Sequence, residues 1–211
     1  YCIANWKMNF TLSKAEAFID KWKNKDLNNT CIKTIFCPSF TELFAIAGYI
    51  KTSSSEVGAQ NVSDKFSGAF TGEVSCAMLK EVGCTWVIIG HSERRSLFGE
   101  TDEIIGRKLQ QILSEDLFPI LCIGETINER NAGLTENVLN RQLSSAYEKV
   151  DSTLLNNMVI AYEPVWAIGT GVIATTEIVA DTHAYIRSIL DSNGLNGNEI
   201  SILYGGSVSA D

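Results

Sequence analysis

Seven short apolar runs alternate with helical stretches along the chain, and this alternation limits the fold more than any other feature. The runs occupy residues 2–7, 32–37, 57–61, 86–90, 118–123, 158–161 and 200–204. Each is too short for a helix, and the run at 158–161 is apolar throughout, which is how a strand buried in a parallel sheet reads. The segments between them carry helical spacing. Ser13-Lys14-Ala15-Glu16 is a capping box, with Ala15, Phe18, Ile19 and Trp22 as the inward stripe of the first helix. Ser39-Phe40-Thr41-Glu42 opens the second, with Leu43, Phe44, Ala47 and Ile50 inward. A third helix covers about 73–81 and is closed by Gly83. A fourth carries Ile104, Ile105, Leu109, Ile112 and Leu113; a fifth covers about 135–147; and a sixth, about 176–190, buries Val179, Ile186, Ile189 and Leu190.

Strand-then-helix alternation of this kind gives a parallel sheet, either open and doubly wound or closed into a barrel. No GxGxxG follows the first run, which disfavours a dinucleotide-binding open sheet. Asn5, Lys7, His91, Glu163 and Ser207 all fall at C-terminal strand ends, the rim on which a (β/α)8 barrel assembles its active site. The expected fold is therefore α/β, a (β/α)8 barrel, with residues 1–211 as a single domain.

Composition excludes several classes. At 211 residues the chain is long enough for one well-buried domain, and no Pro- or Ser-rich tract or charge block marks a linker. No apolar run is long enough to span a bilayer, so no membrane partner is expected. A formal net charge of −8 and a pI of about 4.8 argue against a nucleic-acid partner. An anionic small molecule remains compatible, because one lysine and a few helix N-termini set the local field. The six cysteines show no CxxC spacing and read as free core thiols of a reducing compartment. With only His91 and His183 in the chain, no His-rich metal site is expected.

The stretch after the sixth run is the most unusual. Pro164 ends the strand and holds Glu163 in an extended conformation at its tip. Val165, Trp166 and Ile168 then lie in a segment without strand or helix period that ends in Gly169-Thr170-Gly171. An apolar loop beside a lone carboxylate reads as a lid that excludes water from a base. A strand-capping glutamate followed by a loop tucked onto the core is the competing reading. The other rim residues have bland readings too: His91 as a structural histidine, Lys7 as a surface lysine or a Schiff-base nucleophile, Asn5 as a turn former. The long segment after the third run carries Phe66 and Phe70, which suggests that it inserts into something.

Five stretches in order, Asn5-Trp6-Lys7-Met8-Asn9, Gly58-Ala59-Gln60-Asn61, Gly90-His91-Ser92-Glu93-Arg94-Arg95, the segment from Tyr162 to Gly171, and Tyr204-Gly205-Gly206-Ser207-Val208, resemble triosephosphate isomerase. The resemblance covers essentially the whole chain and implies the TIM barrel fold. It also implies a glycolytic and gluconeogenic aldose–ketose isomerase of the cytoplasm that interconverts dihydroxyacetone phosphate and D-glyceraldehyde 3-phosphate through an enediolate, without cofactor or metal. In that reading Glu163 is the base, neutral His91 the electrophile, Asn5 an amide donor and Lys7 a fixed positive charge. This family is itself the standard example of a carboxylate base beside a neutral imidazole, and of a loop closing over the substrate.

The resemblance further implies a phosphate site made of Gly169, Gly205, Gly206 and Ser207, with Tyr204 and Ser207 latching the closed lid. Ser92 and Glu93 would stand just behind the reacting groups, Glu93 near Lys7, and Cys122 would pack behind the site. His183, inside a helix, would be structural. The loop at 60–72 would dock into a twin subunit, Thr71 reaching toward Asn5 of the partner subunit, which makes a homodimer the expected assembly.

Two features depart from the family pattern. The far hinge of the lid reads Val172-Ile173-Ala174, where the family has lysine and threonine before the alanine, and altered lid kinetics are expected. The chain also begins within its first strand, and an eighth strand with the last helices is not found. The expectation is thus a barrel domain truncated at both ends, inactive if the polypeptide is that short. A Schiff-base aldolase using Lys7 and a catalytically silent barrel are the alternative functions.

Overall fold

The computed structural model describes residues 1–23, 31–51, 53–148, 150–168 and 174–206. By internal contacts these form two compact units, Tyr1–Ile88 with Ser114–Phe118, and Ile89–Leu113 with the chain from Pro119 onward.

In the first unit, β1 (Cys2–Asn5), β2 (Thr34–Cys37), β3 (Glu56–Ala59) and β4 (Trp86–Ile89) lie in chain order and parallel. Ile3 faces Ile35, Phe36 faces Val57, and Ala59 faces Val87 across the ladders. The helices α1 (Leu12–Lys23), α2 (Phe40–Ile50) and α3 (Cys76–Glu81) cover them. Ile19, Ile35, Ile46 and Val87 are fully buried, and Trp6 sits edge-on to Phe10 and Phe18. At Gly58 in β3 a Cβ would stand 2.6 Å from Cys37 Sγ and 3.2 Å from Trp86 Cβ, so the neighbouring strands leave room only for glycine.

The second unit holds β5 (Phe118–Ile123, from Pro119), β6 (Val159–Tyr162) and β7 (Ser201–Tyr204), again parallel, with Leu121 opposite Ile160 and Ile160 opposite Ile202. Its helices are α4 (Ser92–Phe98), α5 (Asp102–Ser114, to Leu113), α6 (Ile127–Asn131), α7 (Thr135–Tyr147) and α8 (Thr176–Ser192). Strand β6 is buried at every position, as a strand covered on both faces must be.

Several elements differ from the sequence reading. Thr11, not Ser13, starts the first helix: its carbonyl accepts the Ala15 N–H at 2.9 Å, and Ser13 lies within the first turn. On α2 the buried face is Leu43, Ile46 and Ile50, while Phe44 is 75% exposed. Successive helical residues turn by about 100°, so Leu43 and Phe44 cannot share one narrow inward face. The third helix begins only at Cys76, where the Ser75 hydroxyl accepts the Met78 N–H at 3.4 Å. Two short helices, α4 and α6, occupy stretches whose polar composition reads as loop. On α8 Thr182 takes the inward place expected of Val179, which is half-buried.

Candidate active site

The carboxylate of Glu163 and the imidazole of His91 meet in the second unit. Glu163 extends β6 by one residue, its N–H donating to the Ile123 carbonyl at 2.7 Å, and its side chain is only 6% exposed. Strand β4 ends at Ile89, and Gly90 then adopts φ +71°, a left-handed turn that delivers His91 to the N-cap of α4. A Cβ at position 90 would stand 2.8 Å from the Cys122 carbonyl oxygen.

His91 Nε2 lies 3.2 Å from Glu163 Oε1, and the Ser92 N–H donates to Glu163 Oε2 at 2.9 Å. Oε2 thus has a main-chain donor, and Oε1 faces the imidazole edge. On the other side of the ring, Nδ1 accepts the Glu93 N–H at 3.2 Å. The Glu93 carboxylate is also 3.6 Å from Nδ1 and would favour a proton there. The aligned amide bond is shorter, and it makes Nδ1 an acceptor. With Nδ1 accepting, the proton of a neutral ring sits on Nε2, the nitrogen that faces Glu163 Oε1.

Gly205 packs against this carboxylate: its N–H donates to the Tyr162 carbonyl at 2.7 Å, and a Cβ there would meet Glu163 Cγ at 3.0 Å. Gly206 lies beneath the Tyr204 ring, where a Cβ would collide with the phenol. Cys122 is buried in β5. Gly169, Ser207 and the hinge at Val172-Ile173 lie outside the described residues.

Asn5 and Lys7 form a hydrogen-bonded turn at the end of β1, in the first unit. The Asn5 side-chain oxygen accepts the Lys7 N–H at 3.0 Å, and Lys7 has φ +51°. A left-handed lysine is uncommon and persists only where its surroundings fix it. Gln60 supplies that fixation, its amide nitrogen donating to the Lys7 carbonyl at 2.9 Å and to the Cys37 carbonyl at 2.9 Å. Gln60 stands at the C-terminal end of a strand, where polar residues signal function, yet its part as the brace of Lys7 is visible only in three dimensions.

A second residue the sequence reading lacks is Glu125, a fully buried carboxylate just past β5. It accepts the Trp166 indole N–H at 2.8 Å, the Tyr162 hydroxyl at 3.2 Å and Arg130 Nη1 at 3.0 Å. Burial, and then the Glu125 charge, push the Tyr162 phenol up to about 12. Trp166, in a 3-10 turn over Val165–Ala167, is buried rather than free in solvent. The near end of the expected lid is thus anchored on an ionic network.

Among the described residues, no group of three or more His, Cys, Asp or Glu residues is arranged to hold a metal ion. Burial raises the Cys37 thiol far above its ordinary range and pushes Cys76 and Cys84 to about 12, so none of the three is a thiolate nucleophile. Among the described residues, no helix is long and apolar enough to cross a membrane.

The family model for triosephosphate isomerase matches residues 1–211. A triosephosphate isomerase of Endomicrobium trichonymphae is 42% identical over 206 residues, covering 97% of this chain and 82% of the relative. That of Azoarcus sp. (strain BH72) is 45% identical over 204 residues, with 97% and 82% covered. That of Aquifex aeolicus is 43% identical over 207 residues, with 98% and 83% covered. Identity at this level over nearly the full chain, together with parallel strands alternating with helices, makes the fold a (β/α)8 barrel, and the chain belongs to the triosephosphate isomerase family.

Proposed function

We propose that this chain interconverts dihydroxyacetone phosphate and D-glyceraldehyde 3-phosphate through an enediolate. The observation that carries the reading is the 3.2 Å pairing of His91 Nε2 with Glu163 Oε1. Glu163 removes a proton from the carbon next to the carbonyl, and a carboxylate in a site shielded from water is suited to that task. The carbonyl oxygen gains negative charge as the carbon–hydrogen bond breaks. His91, donating from Nε2, stabilises that oxygen and passes a proton between the two oxygens of the enediolate. Glu163 then returns its proton to the adjacent carbon, which completes the isomerisation with no net gain or loss of atoms.

Asn5 supplies an amide donor to the substrate oxygens and Lys7 a positive charge for the enediolate and phosphate. Gly169, Gly206 and Ser207 offer backbone N–H groups to the phosphate, and Gly205, whose own N–H is taken by the Tyr162 carbonyl, lets the main chain come close to it. The loop at 60–72, with Phe66 and Phe70 exposed, docks into a second copy of the chain. Six free cysteines, two of them exposed, suit a reducing cytoplasm.

A coupled assay on glyceraldehyde 3-phosphate tests the reading. Turnover by the chain and a fall of about 10³-fold in Glu163→Gln are expected. A folded chain without turnover, or a Glu163→Gln variant as active as the parent, would remove it.

A further inference from the structure

We propose that Arg95 is a positioning residue for the His91–Glu163 pair, setting where the imidazole sits without touching the substrate. The proposal rests on the isomerase reading for its kinetic consequence, and on geometry for the rest. Arg95 lies at the start of the last turn of α4 and folds back toward the end of β4. Its Nε donates to the Gly90 carbonyl at 2.7 Å, and its Nη2 donates to the Cys122 carbonyl at 3.3 Å. Its Nη1 pairs with Asp102, at the start of α5.

The Gly90 contact matters because of covalent geometry. The carbonyl of residue 90 and the N–H of residue 91 belong to one rigid peptide plane. Fixing that oxygen fixes the plane from which His91 hangs, and Ser92, whose N–H holds Glu163 Oε2, follows one residue later. Gly90 could not do this alone. At φ +71° it is the most conformationally free residue in the turn, so the turn needs an external brace.

The Cys122 contact reaches the other partner. Cys122 immediately precedes Ile123, whose carbonyl accepts the Glu163 N–H at 2.7 Å. One guanidinium therefore ties together the main chain behind the imidazole and the main chain behind the carboxylate. Lysine could not reproduce this, since only the planar fork of arginine donates in three directions from fixed positions. The fork is itself aimed. Asp102 takes Nη1 with one oxygen, and its other oxygen accepts from Arg141 Nε on α7 at 3.1 Å. The Arg95 side chain is 18% exposed and that of Asp102 likewise 18%, so water competes little for these bonds.

Displacing a reacting group by about 1 Å costs about 10²-fold in rate even when binding is intact. Replacing Arg95 should therefore act on turnover and leave substrate affinity alone. The test uses the whole chain with Arg95→Gln, Arg95→Lys and Asp102→Asn. Arg95→Gln is expected to lower kcat about 100-fold with KM within about twofold of the parent. Arg95→Lys, which keeps one donor for Gly90, and Asp102→Asn, which leaves one acceptor for Arg95 and Arg141 together, are each expected near tenfold.

The imidazole nitrogen resonances of His91 give a readout independent of activity, and the chain holds only two histidines to tell apart. In the parent they should show the Nε2–H tautomer; in Arg95→Gln they should shift or broaden while those of His183 stay fixed. Unchanged His91 resonances in the folded variants would overturn the proposal. So would kcat within threefold of the parent, or losses that merely track the unfolded fraction. If Arg95→Gln does not fold, the other two variants decide by the same criteria. A parent chain with no isomerase activity would refute the functional reading while leaving the resonance test to stand.

Discussion

Arg130 lays its guanidinium 4.4 Å above the ring of Trp166. The same guanidinium reaches Glu125 at 3.0 Å, and the indole N–H reaches that carboxylate at 2.8 Å. Cation, ring and carboxylate close a triangle at the base of the apolar segment that follows Glu163. With the Tyr162 hydroxyl as a further donor, Arg130 and Trp166 satisfy the buried carboxylate at 125.

Glu125→Gln keeps an acceptor for the indole but removes the charge that faces Arg130. Urea unfolding should show a loss of about 1–3 kcal/mol. Glu125→Leu, which strands three donors at once, should cost more. Equal midpoints for parent and both variants would show that the triangle contributes nothing to stability.

Two glycines should respond in opposite directions to a methyl group. A Cβ at Gly124 would overlap the Glu163 carbonyl, so Gly124→Ala should destabilise by more than about 4 kcal/mol or abolish folding. Gly48 lies inside α2, and a methyl there would meet nothing within 4 Å, so Gly48→Ala should stabilise by about 0.5–1 kcal/mol. Thermal or urea unfolding of the pair checks both signs.

Gln60→Met removes the two donors that brace Lys7 and the end of β2 while keeping the side chain's length. A loss of about 1–3 kcal/mol is expected. With the left-handed turn at Lys7 relaxed, turnover should fall about tenfold. Parent-like kcat in a folded Gln60→Met would show that Lys7 holds its conformation unaided.

His183 gives a pH signature. Burial first, and then the nearby Arg187 charge, lower its pKa below the ordinary 6.5, so the fold favours the neutral ring. The folded state then binds fewer protons than the unfolded chain. The stabilisation is complete above pH 6.5 and is lost progressively as pH falls from 6.5 toward the folded value. His183→Phe should unfold with a flatter pH dependence just below 6.5; an unchanged slope would assign the acid limb to other groups.

Much of this arrangement is legible in the residues alone. Glu163 stands out because a proline stops its strand and an apolar loop follows, and both features are local. His91 stands out only in company: alone it reads as a structural histidine, but Asn5, Lys7 and Glu163 also fall at C-terminal strand ends. Helix α4 escapes the eye for a physical reason: its start is capped by a histidine rather than by serine or aspartate, and it is seven residues long. Helix α6 is different, since Thr126 and Glu129 spell out its capping box in the sequence. Gln60, Arg95 and Glu125 could be found only with coordinates. Their significance lies in which distant carbonyl or indole they meet, and no spacing rule encodes a contact across 41 positions such as Glu125 to Trp166.

The two oxygens of Glu163 are both engaged at rest, one by a ring nitrogen and one by a main-chain amide. A side chain so occupied is not idle; it must let go of one handhold before it can grasp a hydrogen on carbon. On the proposed reading of Glu163 as the base, the tempo of that release belongs to the catalytic cycle. Ligands should be ranked by how well they compensate the abandoned amide at Ser92, as much as by how closely they imitate the sugar.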